Sequence, residues 1–168
     1  NKCFDPDNNF YYIVGQSLHT GFDTEHRSAT PYEEFPAKVT GNDHFDAWPS
    51  RNDWYETVKL NYGVDYWTGI GHFEPIPDTW KKMTDILLFW AAKGVDGFRC
   101  EMAEMVPSAF RAWATEKVKY RYPEIIFIGE VYDPNQYRRY INAGFDYLYD
   151  KVGMYDTMRA AICGYGPA

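Results

Sequence analysis

Short apolar runs alternate with longer amphipathic stretches in the second half of the chain. Three of these runs have the length and the glycine or proline boundaries of buried strands, and they lie at 95–100, 125–128 and 145–149. Apolar residues at helical spacing predict four helices, at 78–93, 107–120, 134–142 and 150–163. Strands that alternate with helices in this order predict an α/β fold with a parallel sheet.

The first predicted helix carries one apolar stripe, which we expect to pack on the sheet. Asp78 can cap its start and Gly94 can end it. The stripe consists of Trp80, Met83, Leu87, Trp90 and Ala91.

The first part of the chain lacks this regular pattern. Glycines and prolines interrupt short aromatic stretches, and no helical period survives up to about residue 66. We therefore divide the chain into a loop-rich part at 1–70 and an α/β part at 71–168. A segment of that kind is uncommon inside a compact fold unless it is functional.

Composition and charge exclude some classes of partner. The net charge of −7 and the pI near 5.0 argue against nucleic acid and anionic membranes, whose binding needs clustered Lys and Arg. No apolar run approaches the roughly 18 residues of a transmembrane helix, so we expect no membrane span. Aromatic residues make up 19% of the chain, and their flat rings suit the apolar faces of sugars, although core packing is the favoured explanation for any single one of them.

One group of oxygen donors near the start of the chain could hold calcium. Asp5, Asp7 and Asn8 lie at tight spacing, but the glycine and distant glutamate of a calcium loop are missing. A turn explains the same residues, and we favour it. The four histidines have no metal-ligand spacing, so we assign no metal ligands.

The candidate chemistry follows the first two predicted strands. Arg99 and Glu101 end the first run and Glu130 ends the second, so all three side chains should meet at the carboxyl ends of neighbouring parallel strands. Two converging carboxylates are what retaining glycoside hydrolysis requires. We expect Arg99 to keep Glu101 ionised, and burial beside that negative charge to raise the pKa of Glu130. The alternative is a salt bridge next to a surface glutamate.

The sequences around these carboxylates resemble two motifs of the alpha-amylase family. Residues 97–107, GFRCEMAEMVP, resemble the fourth-strand motif Gly-Phe-Arg-x-Asp, and residues 126–132, IFIGEVY, resemble the fifth-strand motif that ends in the acid. The resemblance implies a (β/α)8 TIM barrel, which typically takes about 250 residues. The chain would then cover roughly strands four to six, and residues 1–70 would match an irregular inserted subdomain that lines the cleft.

The resemblance also implies roles for individual residues. Arg99 matches the motif arginine, Glu130 matches the general acid/base, and Glu101 stands where the family has a nucleophilic Asp. Glu is one methylene longer, and a misplacement of about 1 Å can cost about a hundredfold in rate. Candidate substrate-binding residues are Glu104 and Met105, where the family often has a Lys-His pair, and the aromatic residues Trp54 and Tyr62.

These roles imply a retaining glycoside hydrolase or transglycosylase that acts on α-1,4-linked glucans such as starch and maltooligosaccharides. A catalytically impaired relative that binds carbohydrate or serves in assembly is the alternative, because Glu replaces Asp at the nucleophile position. Calcium is a candidate cofactor. We expect a secreted or periplasmic location rather than a cytoplasmic one.

Overall fold

The computed structural model describes residues 3–22 and 32–165. It divides the chain into two compact units, Asn1–Thr79 and Trp80–Ala168. No helix within the described residues is long and apolar enough to cross a membrane.

The first unit contains little regular structure. Strand β1 (Tyr12–Ile13) pairs antiparallel with β2 (Ala37–Lys38), and β3 (Val64–Asp65) pairs antiparallel with β4 (Ile70–Gly71). Loops join these short pairs. A small buried core holds the loops together and consists of Tyr11, Ile13, Ala37, Val39 and Ala47.

The second unit is built from strands and helices in alternation. Its strands are β5 (Gly97–Cys100), β6 (Ile126–Gly129) and β7 (Tyr147–Leu148). The helices are α1 (Asp78–Ala91), which starts at the end of the first unit, α2 (Ser108–Arg121), α3 (Tyr137–Asn142) and α4 (Thr157–Cys163). Single turns of 3-10 helix at Ala103–Met105 and Pro134–Gln136 and a π-helical turn at Lys151–Asp156 complete it.

The three strands form a parallel sheet in the order β5-β6-β7, which confirms the predicted α/β class. Cys100 lies opposite Gly129, and Ile128 lies opposite Tyr147. Gly97 is required at the β5–β6 contact, because a Cβ there would lie 2.5 Å from the carbonyl oxygen of Ile126. Within the described residues the sheet is open, and the closed barrel that the resemblance implies is not seen.

The buried core of the second unit lies between this sheet and its helices. Phe110, Ala114 and Val118 of α2 are each at most 2% exposed, as their helical spacing predicts. The predicted stripe of α1 is wrong at Trp90, which is 51% exposed. Thr84 is buried in the stripe instead, since it lies four residues after the buried Trp80 and seven before the buried Ala91. Trp90 lies next to Ala91 in sequence and therefore about 100° away around the helix.

Asp146, the residue before β7, binds both β6 and α2 through its carboxylate. Its carboxylate accepts a hydrogen bond of 2.8 Å from the backbone N–H of Phe127 and bonds of 2.7 and 2.8 Å from the ammonium of Lys119. Partial burial raises the pKa of Asp146, but the bonds from Lys119 and Phe127 outweigh burial and leave that pKa lowered. The ionised form of Asp146 therefore stabilises the sheet.

We expect Asp146→Asn to reduce the free energy of unfolding at neutral pH by about 1 kcal/mol, since hydrogen bonds to a partly exposed charge are lost. A carboxyl group with a lowered folded-state pKa contributes stability above its unfolded pKa, and this contribution is lost as the pH falls through the folded pKa. The deficit should therefore shrink on acidification, as measured by urea unfolding at a series of pH values. Asp85→Asn, at an exposed position on α1, is the control. If the difference in the free energy of unfolding between parent and Asp146→Asn stays constant as the pH falls, the effect comes from the shape of the side chain and not from its charge.

Candidate active site

The carboxyl ends of β5, β6 and β7 carry a cluster of polar side chains. Arg99 lies on β5, Glu101 follows β5 directly, Glu130 follows β6 and Tyr149 follows β7. The parallel register places these positions side by side at one edge of the sheet. The structure thus brings Arg99, Glu101 and Glu130 together, at the edge where the strand pattern predicts them.

The guanidinium of Arg99 is at the centre of this cluster. Its Nη1 donates to Oε2 of Glu101 at 3.0 Å, its Nη2 donates to Oε1 of Glu130 at 2.9 Å, and its Nε donates to the hydroxyl of Tyr149 at 3.1 Å. The guanidinium carbon also lies 5.5 Å from the centre of the Tyr149 ring. A planar fork with several donors is the group that can hold two carboxylates at once.

Glu130 is the buried member of the pair, with 7% of its surface exposed. Its Oε1 accepts a short hydrogen bond from the hydroxyl of Tyr132 in addition to the bond from Arg99. Its Oε2 accepts the backbone N–H of Met102 at 2.9 Å. Both carboxylate oxygens are therefore held by donors that favour the ionised form.

These donors lower the pKa of Glu130, with the hydroxyl of Tyr132 as the largest cause and the N–H of Met102 next. Burial acts in the opposite direction, and the charge of Arg99 adds to the lowering. The predicted rise in the pKa of Glu130 is therefore wrong. That prediction counted burial and the charge of Glu101, and it did not count hydrogen bonds from residues outside the motif pair.

Glu101 lies in a different environment from Glu130. Strand β5 ends at Cys100, so Glu101 starts the turn that follows, and 73% of its side-chain surface is exposed. Arg99 is its hydrogen-bond partner at 3.0 Å. The site thus contains one buried, fully bonded carboxylate and one that faces solvent.

Met102 has a backbone conformation that is uncommon for its residue type. Its φ of 42° and ψ of 47° lie in the left-handed region, which non-glycine residues seldom adopt. The N–H of this residue donates to the Glu130 carboxylate, so the residue with the strained backbone is also a hydrogen-bond donor of the site.

Sequence reasoning missed Met102, Tyr132 and Tyr149 as members of the site. No sequence signal marks Met102, because its strain depends on the turn after β5. Tyr149 could have been found, since it follows the third strand as Glu130 follows the second. Tyr132 lies two residues after Glu130, and same-side spacing along an extended chain places it beside that carboxylate.

Glu104 and Met105 lie on the 3-10 turn after β5. Oε2 of Glu104 accepts the backbone N–H groups of Tyr132 and Asp133, each at 3.2 Å, so this oxygen joins the turn after β5 to the segment after β6. Met105 is partly buried. In the structure Glu104 thus bonds to the protein backbone, whereas the sequence predicts that it binds a sugar hydroxyl.

Trp54 and Tyr62, the predicted stacking residues, lie in the first unit. Trp54 is 43% exposed and keeps ring surface for a sugar. Tyr62 is 8% exposed, which leaves its ring almost no free face. The expectation of stacking therefore does not fit Tyr62, because the flat ring faces that the prediction requires are covered by protein.

The oxygen donors near the start of the chain form a turn. The N–H of Asp7 donates to Oδ1 of Asp5 at 2.9 Å, and the N–H of Asn8 donates to the carbonyl of Asp5 at 3.1 Å. The side chain of Asn61 donates to the carbonyls of Asp5 and Asn8, both at 2.8 Å. These are the contacts of the favoured alternative, a turn. Within residues 3–22 and 32–165, no group of three or more His, Cys, Asp or Glu side chains is placed to hold a metal ion.

A cavity of about 580 Å³ opens beside the cluster. Tyr132 and Tyr149 form part of its wall, and their hydroxyls reach Glu130 and Arg99. The remaining lining residues are Asp150, Lys151, Tyr155 and Arg159. A lining of three tyrosine rings and three charged side chains suits an amphipathic ligand such as a sugar.

Part of the chain is similar to curated glycosyl-transferring enzymes, although no family model matches it. An alpha-1,4-glucan:maltose-1-phosphate maltosyltransferase of Cereibacter sphaeroides is 31% identical over 75 residues, which are 44% of this chain and 13% of that protein. The enzyme of the same name from Burkholderia pseudomallei (strain K96243) is 31% identical over 90 residues, 53% of this chain and 8% of that protein. The matched part is thus a small share of the length of these relatives.

Solved structures of amylases also match part of the chain. An alpha-amylase from Lactobacillus plantarum aligns with 65% of this chain and 26% of its own, at 27% identity and a TM-score of 0.45. An Anoxybacillus alpha-amylase aligns with 56% of this chain and 21% of its own, at 24% identity and a TM-score of 0.46. The motifs around Arg99 and Glu130 and the curated matches agree on one relationship. Over part of its length, this chain is related to the alpha-amylase family.

Proposed function

We propose that the cluster around Arg99 is the active site of a retaining glycoside hydrolase or transglycosylase for α-1,4-linked glucans such as starch and maltooligosaccharides. The observation that carries this proposal is the binding of Glu101 and Glu130 to one guanidinium at the carboxyl ends of neighbouring parallel strands. In this proposal, β5 to β7 are strands four to six of a (β/α)8 barrel.

In the proposed reaction Glu101 attacks the anomeric carbon while Glu130 gives a proton to the departing glycosidic oxygen. Water or an acceptor sugar then replaces Glu101, with Glu130 as the base. Arg99 holds Glu101 through a hydrogen bond of 3.0 Å to its Oε2. Because its hydrogen bonds lower its pKa, Glu130 has to take up a proton before the first step.

The cavity bounded by Tyr132 and Tyr149 is the proposed place for the sugar on the leaving-group side. It meets the cluster beside Glu130, which is the residue that protonates the leaving oxygen in this proposal. The matched relatives are named for maltosyl transfer from maltose-1-phosphate. The assay should therefore offer maltose-1-phosphate with a maltooligosaccharide acceptor as well as a maltooligosaccharide with water.

A second candidate function is carbohydrate binding or assembly without catalysis. Two observations favour it: Glu stands where the family has Asp, and the pKa of the proposed acid is lowered rather than raised. Titration calorimetry with maltoheptaose separates the candidates. Binding with neither release of reducing ends nor redistribution of chain lengths supports the second, and either form of turnover supports the first.

We expect Glu130→Gln to lower glucan hydrolysis by about 10² or more and to leave maltoheptaose binding in place, because the amide keeps the shape but cannot exchange the proton. Reducing-end release from maltoheptaose measures the rate. Glu124→Gln, at an exposed position before β6, is the matched control and should retain the activity of the parent protein. Equal activity of the two variants would remove Glu130 from the mechanism.

We expect Glu101→Asp to raise the hydrolysis rate by about tenfold to a hundredfold, because the shorter side chain corrects a reach that is about 1 Å too long. Glu101→Gln should abolish turnover, since an amide cannot displace the leaving group. The three rates are measured side by side on one α-1,4-glucan. An Asp variant slower than the parent would mean that the site has adapted to Glu. Equal rates in all three proteins would exclude Glu101 as the nucleophile.

A further inference from the structure

The segments that follow β5 and β6 are joined by four hydrogen bonds next to the proposed acid/base. The N–H of Ala103 donates to the carbonyl of Glu130 at 2.9 Å, and the N–H of Met102 donates to its carboxylate at 2.9 Å. The carboxylate of Glu104 accepts the N–H groups of Tyr132 and Asp133, both at 3.2 Å. The position of Tyr132 relative to Glu130 is therefore set from the β5 side by Glu104.

Tyr132 acts on Glu130 through its hydroxyl. The bond to Oε1 of Glu130 raises the pKa of Tyr132, so the phenol keeps its proton and is the donor. The ammonium of Lys151 lies 5.7 Å from the centre of the Tyr132 ring, which favours one orientation of that ring. Glu104 holds the backbone of Tyr132 while Lys151 lies against its ring.

We propose that Tyr132 holds Glu130 in the ionised form and that Glu104 is the residue that positions Tyr132 for this task. The proposal rests on the proposed function of Glu130 as acid/base and adds two positioning residues to that site. Neither residue reacts with substrate in this scheme. Loss of the hydrogen bond from Tyr132 makes protonation of Glu130 easier, and the proton then comes from solvent.

Other charged groups face Glu130 and have to be considered with Tyr132. Arg99 on β5 donates to the same oxygen at 2.9 Å and favours the ionised form. The charge of Glu101, after β5, opposes ionisation of Tyr132 and faces Glu130 across Arg99. Tyr149, after β7, reaches Glu130 only through Arg99. Arg99 and Tyr132 bond to Glu130 through their side chains, and of these two Tyr132 can be altered without a change of charge at the site.

The test is a titration of the Glu130 carboxyl carbon by NMR in the protein with labelled glutamate, where Glu130→Gln identifies the signal. We expect Tyr132→Phe to raise the proton affinity of Glu130 about tenfold, because one hydrogen bond to the charged form is lost. Tyr147→Phe is the matched control, since Tyr147 is 61% exposed on β7. A Tyr132→Phe titration that coincides with that of Tyr147→Phe would overturn the proposal.

Two substitutions of Glu104 distinguish its role in positioning Tyr132 from the effect of its own negative charge. Glu104→Ala removes the acceptor of both N–H groups and should move the Glu130 titration in the same direction as Tyr132→Phe. Glu104→Gln keeps an acceptor oxygen and should restore most of the parent behaviour. An Ala variant without effect, or Ala and Gln variants with equal effects, would overturn the role of Glu104. The titration needs no turnover. Tyr132→Phe can leave the Glu130 titration unchanged while Glu130→Gln still lowers activity, and it can shift that titration where no activity exists.

Discussion

The contact of Arg99 with two carboxylates is the interaction on which the rest of the site depends. A buried carboxylate is costly unless it is paired and hydrogen-bonded, and Glu130 is 7% exposed. Arg99 can reach it because β5 and β6 pair in parallel with Cys100 opposite Gly129. The close approach of those strands depends in turn on the absent side chain of Gly97. The ion pair between Arg99 and Glu130 thus depends on the register of β5 and β6.

The alternation of apolar runs and helical stripes was enough to predict the order of strands and helices in the second unit. The motifs were enough to place Arg99, Glu101 and Glu130 at one edge of the sheet. Sequence could not predict the pKa of Glu130, because its direction depends on hydrogen bonds from Tyr132 and from the strained backbone of Met102. Those donors depend on turn geometry rather than on periodicity.

The stripe of α1 illustrates a second limit of periodicity. Both Thr84 and Trp90 are compatible with a helix, and hydropathy alone assigned the tryptophan to the core. The structure buries Thr84 to 2% exposure and leaves Trp90 half exposed. Thr84 and Trp90 are six residues apart and therefore about 120° apart around the helix, and the packing of the helix in the tertiary structure decides which of them is buried.

The two carboxylates of the site differ in a way that bears on catalysis. Retaining hydrolysis needs a nucleophile that is ionised and an acid that holds a proton. Here Glu101 is exposed and bonded to Arg99, whereas the buried Glu130 is held ionised by three donors. Arg99 and the N–H of Met102 belong to the scaffold of β5 and its turn, and their loss would disturb the fold itself. Tyr132 is the donor that lies on the cavity wall, so it is the one of the three donors that a ligand in the cavity can contact. Loss of the bond from Tyr132 raises the proton affinity of the carboxylate, while Arg99 and the N–H of Met102 continue to favour its ionised form.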